Sequence, residues 1–314
     1  MIYNVLIIGF GNIGFRHLQA INKSSHRINI TIVDKNINSF KKLKYVKSKH
    51  NINNYLKINK IQNKNFFLTI IATDSKNRYI LIKTLLKNIK TKNLIIEKVL
   101  EQSYDNLIKL KNLLRYKRNC WVNSPYNSMD VFKQIKYNIP SNSNHLVVKG
   151  FNWGMACNFF HQILIHNLFF KNSKLADIKI DQSSYWLPSK RRGYYEIFGK
   201  IKLIFKKSKL TLICKNKEKK ETSCYYIISK DNEKFIKYKL DSKNFIKNRI
   251  KYKCKNIELQ SNLSNIYLDQ LIKNNKCKLP KLNNSINLHL PLIKSLHKHW
   301  QKYYNKNTRN LPIT

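Results

Sequence analysis

The sequence predicts an α/β chain of two domains: an N-terminal parallel sheet covered by helices, then an α+β domain with an open antiparallel sheet. Three observations carry this. Over the first third, short apolar runs alternate with amphipathic segments, the pattern of strand-helix-strand crossovers. From about Leu146 to Leu259 apolar residues recur at every second position between polar turns, the pattern of antiparallel strands. The 314 residues, 42% hydrophobic and 25% charged, suffice for one large or two medium domains with a real core, which excludes disorder as the main state.

Residues 5–8 read as a first strand, 13–21 as the start of a helix, 28–33 and 67–72 as further strands, 78–86 as a helix and 94–96 as a strand. A boundary near Asn123 divides residues 1–122 from a second domain over 123–286. In that domain 157–170 has helical apolar spacing, while 178–186, 200–205 and 210–214 alternate as strands. The charged stretch 215–221 reads as a solvated hairpin loop. Residues 287–314 open as an amphipathic helix, expected to fold back on the first domain.

Lys+Arg number 61 against 16 Asp+Glu, a formal charge of +45, so partners are expected to be anionic: nucleic acid, a phosphorylated cofactor, a nucleotide-sugar or an acidic membrane surface. The lysines are spread along the chain rather than blocked, which weighs against a dedicated nucleic-acid tail, and no specific nucleic-acid partner is expected. The six cysteines are far apart with no CxxC pair, so they are read as reduced and the protein as cytoplasmic. The first eight residues resemble a buried strand more than a signal peptide, and no apolar run reaches the ~20 residues of a membrane span.

The most informative motif is Gly9-Phe10-Gly11-Asn12-Ile13-Gly14, which takes three of the seven glycines and lies between a strand and a helix. In that context the glycines give a tight turn, let the backbone approach a pyrophosphate and allow close helix-strand packing, with the helix N-terminus offering free N–H groups. This points to a Rossmann dinucleotide-binding domain. Before Glu97 the acidic residues are Asp34 and Asp74, each after an apolar strand-like run, hence at the carboxyl ends of parallel strands where ligands bind. Asp34 lies about 20 residues past the last glycine, the spacing of the acid that accepts from the ribose 2′-OH of NAD. An acid there repels a 2′-phosphate, so NAD is favoured over NADP. Asp34 as a turn residue, and Asp74 or Ser75 as a helix cap, are the alternative readings.

Leu94-Ile95-Ile96-Glu97-Lys98 ends another strand in an acid-base pair, where a lysine could bond a substrate hydroxyl. On spacing alone, a surface lysine is the better reading. Together with Ile7 to His17, Ala72-Thr73-Asp74-Ser75 and Gly154-Met155-Ala156-Cys157-Asn158-Phe159-Phe160-His161, however, the chain resembles the Gfo/Idh/MocA family of NAD(P)-dependent sugar and cyclitol dehydrogenases. Glu258-Leu259-Gln260-Ser261-Asn262-Leu263 and the closing Leu311-Pro312-Ile313-Thr314 are similar to members associated with bacterial surface-polysaccharide synthesis. The resemblance implies hydride transfer between NAD(H) and a hydroxyl or keto carbon of a sugar or nucleotide-sugar, with Lys98 and His161 as catalytic residues. Gly9, Gly11, Asn12, Ile13, Gly14, Asp34, Ala72, Thr73, Asp74, Glu97 and Lys98 are implied to contact the cofactor. Lys98, Tyr126, Asn158 and His161 are implied to contact the substrate. A homo-oligomer formed through the second-domain sheet is implied as well.

The chain departs from the family pattern at three places. Val99 replaces a proline after the lysine, Cys157 and Leu164 stand where a carboxylate often flanks the histidine, and Tyr126 and Asn127 replace an arginine-bearing segment. A catalytically degenerate member that binds a polyanion or nucleic acid is therefore the competing expectation. No metal is expected, because Cys157 with His161, and His289, His297 and His299, lack a second close-spaced pair. Trp186, Arg191 and Arg192 are read as solvated hairpin residues, with contact to a substrate phosphate or ring as the alternative.

Overall fold

The computed structural model describes residues 1–170, 174–218, 221–230 and 233–314, so Lys219 and Lys220 of the expected hairpin lie outside the described residues. In chain order the elements begin β1 (Ile2–Ile8), α1 (Asn12–Ile21), β2 (Arg27–Val33), β3 (Asn51–Tyr55), β4 (Asn65–Ile71), α2 (Arg78–Asn88), β5 (Lys90–Glu97), α3 (Tyr104–Leu113) and β6 (Cys120–Asn123). There follow α4 (Asp130–Tyr137), β7 (His145–Phe151), α5 (Met155–Phe169), β8 (Leu175–Ile180), β9 (Tyr185–Pro188), β10 (Tyr195–Phe205) and β11 (Lys209–Lys215). The chain ends with β12 (Ser223–Lys230), β13 (Glu233–Lys239), β14 (Asn244–Lys247), β15 (Ile250–Lys253), α6 (Gln260–Asn274) and α7 (Leu282–Tyr304).

One compact unit comprises Met1–Ser124 with Glu258–Asn287. Its six-stranded sheet is parallel in the order β3-β2-β1-β4-β5-β6. β1 is central because Val5, Leu6 and Ile7 are fully buried, each such side chain contributing about 1.5–3 kcal/mol over exposure. The order reverses between β1 and β4, so the turn after β1 opens at the crevice where such sheets bind ligands. The segment that returns to this unit is 258–287 rather than 287–314. Helix α6 buries Leu263, Tyr267, Leu268 and Leu271 and packs on α1, and Val122 N–H donates to Pro280 O at 3.0 Å.

The other unit comprises Pro125–Ile257 with Leu288–Thr314. Its nine-stranded sheet runs β15-β14-β13-β12-β7-β11-β10-β8, with β9 paired to β10. It is mixed rather than antiparallel, since β7 and β11 pair in parallel from His145↔Lys209 to Phe151↔Lys215. The long excursion through α5 and β8–β10 supplies the crossover that a parallel pair needs. The expected strand over 178–186 is two strands broken by a turn, with Ser184 N–H donating to Asp181 O at 3.0 Å. The closing residues stay in this unit: Trp300 meets Trp186 edge-on at 5.1 Å, Leu311 and Ile313 are fully buried, and Tyr195 N–H donates to Pro312 O at 2.9 Å. Trp186 is thus buried, not solvated, and its Nε1–H donates to His299 Nδ1 at 3.0 Å. Arg191 reaches Thr314 Oγ1 at 2.9 Å.

Candidate functional site

In the first unit the glycine turn is held from both sides. Gly9 N–H donates to Val33 O of β2 at 2.8 Å, and Ala72 N–H donates to Ile8 O at 2.7 Å. Gly9 has φ +89, and a Cβ there would lie 2.8 Å from Thr73 N. At Gly14 a Cβ would lie 1.9 Å from Gly9 O, so only glycine lets α1 approach the turn this closely. Gly11 differs: a Cβ there would meet nothing within 4 Å, and α1 starts beside it without a side-chain cap. That open cradle of uncommitted N–H groups at a positive helix end fits a dinucleotide pyrophosphate.

The expected ribose acid lies at the same turn. Asp34 is half-buried, its Oδ2 accepting from Phe10 N–H at 2.5 Å and its Oδ1 from Asn36 N–H at 2.8 Å. The carboxylate is therefore oriented beside the glycine turn before any ligand arrives. Asp74 is exposed and accepts from Lys76 N–H at 3.3 Å, while α2 starts from Asn77, so neither Asp74 nor Ser75 caps that helix. Lys42 is a residue that sequence reasoning missed: its Nζ donates to Asn12 Oδ1 at 3.0 Å and adds positive charge at the start of α1.

The end of β5 holds two further surprises. Glu97, expected to touch the cofactor, turns its carboxylate inward, where its Oε1 lies 3.1 Å from His17 Nε2 and accepts from Asn123 Nδ2. His17 in turn lies 2.7 Å from Ser264 Oγ, and Asn123 donates to Gln260 Oε1 at 3.1 Å, so α1, β5, β6 and α6 share one buried polar network. Burial alone would raise the Glu97 carboxyl, but the hydrogen bond and field of His17, then Asn123 and Lys98, outweigh it and bring it below the usual range.

The second surprise is Arg78, 1% exposed, at the start of α2. Its guanidinium donates to Thr73 O at 2.6 Å, to Glu97 O at 2.5 Å, to Leu100 O at 3.3 Å and to Val99 O. One planar cation thus ties the loop after β4 to the backbone on both sides of Lys98. Lys98 is half-buried, and the Lys98–Val99 peptide is cis. A buried arginine twenty positions before a lysine gives no periodic signal, which is why the sequence did not reveal it.

In the second unit His161 is 6% exposed on α5 and stacks on Tyr126, ring centroids 4.5 Å apart and 14° from parallel. The structure therefore joins two of the expected substrate residues. Burial, then the neighbouring Cys224, Asp241 and Cys157, pushes the Tyr126 phenol up to about 12, so it is a neutral donor at physiological pH. Asn158 Nδ2–H donates to Trp153 O at 2.8 Å, which fixes the turn before α5. No carboxylate stands at 157 or 164; on β10, Glu196 Oε2 accepts from Ala156 N–H at 2.8 Å and Cys157 N–H at 3.3 Å at the start of α5. An acid at a helix N-terminus complements its dipole.

The residues considered for metal have other roles. His289 packs 4.0 Å from Phe160, and His297 lies 3.3 Å from Thr308 Oγ1. Among the described residues no group of three His, Cys, Asp or Glu could hold a metal, and no helix is long and apolar enough to cross a membrane.

Residues 3–124 match the model of the GFO_IDH_MocA oxidoreductase family, NAD-binding Rossmann fold. The match covers the Met1–Ser124 part of the first unit. No curated protein sequence matches the chain. In fold, the chain is similar to biliverdin reductase from Synechocystis sp. PCC 6803 in complex with biliverdin and NADP+, at 13% identity, 93% coverage of this chain, 98% of that chain and TM-score 0.70. It is also similar to scyllo-inositol dehydrogenase from Lactobacillus casei with bound NAD(H) and scyllo-inositol, at 8% identity, 96% and 98% coverage and TM-score 0.68. UDP-N-acetylglucosamine 3-dehydrogenase from Acidithiobacillus ferrooxidans shares the fold at 7% identity, 96% and 99% coverage and TM-score 0.66. For the Gfo/Idh/MocA domain the cofactor is NAD, and the open face of Gly11 is the feature of this chain that suits it.

Proposed function

We propose that this protein is a dehydrogenase or reductase that uses NAD(H) on a hydroxyl or keto carbon of a sugar or nucleotide-sugar. The observation that carries the reading is the pairing of an open pyrophosphate cradle at Gly11 with a lysine whose backbone is locked on both sides by Arg78. When bound, the nicotinamide supplies the hydride acceptor or donor. The chain's own residues bind and orient. The N–H groups at the start of α1 take the diphosphate, and Asp34 accepts from the ribose 2′-OH and disfavours a 2′-phosphate. Lys98 hydrogen-bonds the reacting hydroxyl and takes or returns its proton. His161, held flat against Tyr126, shares the proton and orients the sugar.

The similarity of 258–263 and 311–314 to surface-polysaccharide members supports a narrower role in that synthesis, with a nucleotide-sugar as substrate. Purified protein should oxidise NADH with a keto-sugar nucleotide, or reduce NAD with a nucleotide-sugar or inositol, in a panel followed by NADH absorbance. Turnover that is unchanged in both Lys98→Ala and His161→Ala would overturn the assigned roles.

A further inference from the structure

Helix α2 begins without a cap of its own. Asn77 before it is left-handed, at φ 57, and its side chain bonds no helix N–H, so the first turn needs an acceptor from elsewhere. Glu101, past the end of β5, provides it: Oε2 accepts from Tyr79 N–H at 2.9 Å, while Oε1 turns back to accept from Gln102 N–H at 2.9 Å. The side chain is buried, and a buried carboxylate is costly unless its oxygens are bonded. Burial raises the Glu101 carboxyl above its ordinary range, and the Tyr79 and Gln102 N–H groups, then the Arg78 charge, oppose that rise. The nearer acid, Glu97, is turned towards His17, so Glu101 is the carboxylate that answers the buried guanidinium on this side.

The neighbouring Gln102 reaches the same way, its Nε2–H donating to Ser75 Oγ at 3.2 Å, and both residues are buried. Arg78 reaches in the opposite direction, to the carbonyls of Glu97, Val99 and Leu100. Residues 73–79 and 97–102, which leave the adjacent strands β4 and β5 at their carboxyl ends, therefore hold each other reciprocally. One sends a planar cation to three carbonyls, and the other returns a carboxylate and an amide. Lys98 lies within the second segment, and Thr73 and Asp74 lie within the first. Arg78 alone holds the near end of the 97–102 segment; Glu101 and Gln102 pin its far end.

We propose that Glu101 is a positioning residue: its carboxylate clasps the segment of Lys98 onto the segment of Thr73 and Asp74 and so sets where the Lys98 amine stands. Its use in catalysis rests on the reading of Lys98 as the lysine that moves the substrate proton. A helix cap and nothing more would lower stability when removed but would leave the surroundings of Lys98 as they are.

The test is acylation of the full chain with a low dose of acetic anhydride, the rate at each lysine read by peptide mass spectrometry, without cofactor and with saturating NADH. Glu101→Gln keeps the size of the side chain but sets an amide N–H against a backbone N–H and removes the charge. Losing one charge-assisted bond should raise the population of the opened segment, and with it Lys98 acylation, about tenfold in cofactor-free protein. Exposed Lys60, outside both segments, should react as in wild type. Gln102→Met removes a neutral bond of the same clasp and should raise Lys98 acylation about threefold, which decides the matter if Glu101→Gln does not fold. Leu271→Ala, a core truncation in α6, should lower the unfolding midpoint yet leave Lys98 within about twofold of wild type.

The proposal is overturned if folded Glu101→Gln, or Gln102→Met in its place, leaves Lys98 acylation at the wild-type rate. It is equally overturned if Lys60 accelerates with Lys98, or if Leu271→Ala accelerates Lys98 as much as Glu101→Gln does. In wild type, bound NADH should slow Lys98 acylation. Acceleration in Glu101→Gln together with no slowing by bound NADH in wild type would support the clasp and overturn the catalytic reading of Lys98 instead.

Discussion

At the scale of single residues, the proposed chemistry depends on how Lys98 is held. Arg78 is the positioning residue: it satisfies carbonyls on both flanks of Lys98 and one on the loop after β4, all of which would otherwise be buried without donors. Arg78→Met should destabilise the protein by several kcal/mol in urea denaturation, since each carbonyl left buried without its donor costs about 1–3 kcal/mol. Arg78→Lys keeps the charge but loses the planar fork, so it should fold and bind NADH roughly tenfold more weakly. Lys98→Met separates binding from chemistry. NADH affinity should stay within about threefold while turnover falls about 10²–10⁴-fold, the range for a lost general acid–base group. Glu97 shows the limit of reading single residues from a motif. Its place at a strand end was legible, but which way the carboxylate turned depended on His17, Asn123 and α6, which come from three other parts of the chain.

At the scale of elements, β1, β2, β4, β5 and α1 were legible because each combines a clean apolar run with a glycine or polar stop. β3, with its sequence Asn-Ile-Asn-Asn-Tyr, was not, because an edge strand buries too little to leave a pattern. Helix α6 went unread because its burial is spent on α1, far away in sequence. The junction of α1 with β1 carries a sharp prediction. Gly14→Ala would set a methyl 1.9 Å from Gly9 O, so it should cost several kcal/mol, on the order of overpacking or more, and abolish NADH binding. Gly11→Ala, facing open space, should leave the unfolding midpoint unchanged.

Helix α5 carries a pH signature. His166 is fully buried, stacked 4.1 Å from Phe205, and burial lowers its imidazole to about 4. Because the folded-state value lies below the unfolded one, the unfolded chain binds the proton first, and stability falls as pH drops from about 6.5 to about 4. The loss should approach about 3 kcal/mol, since each tenfold difference in proton affinity between the folded and unfolded chain is worth about 1.4 kcal/mol. Urea midpoints measured across that window should show the slope in wild type, and His166→Phe should flatten it. An unchanged slope in the variant would place the pH sensitivity elsewhere.

At the scale of the whole molecule, a formal charge of +45 said only that partners are anionic. In the first unit Lys42 brings part of that charge to the start of α1. The glycine motif made the first unit legible because Gly9 and Gly14 answer steric demands of the turn and Gly11 leaves its face open. The central claim is that the Gly9–Gly14 turn holds NAD with Asp34 selecting against a 2′-phosphate. Calorimetric titration of NADH and NADPH into wild type, Gly11→Val and Asp34→Ala tests it most directly. Saturable NADH binding that Gly11→Val abolishes without unfolding, and a preference over NADPH that Asp34→Ala erases, is the predicted result. Absence of NADH binding by folded protein, or binding that Gly11→Val leaves intact, would contradict it.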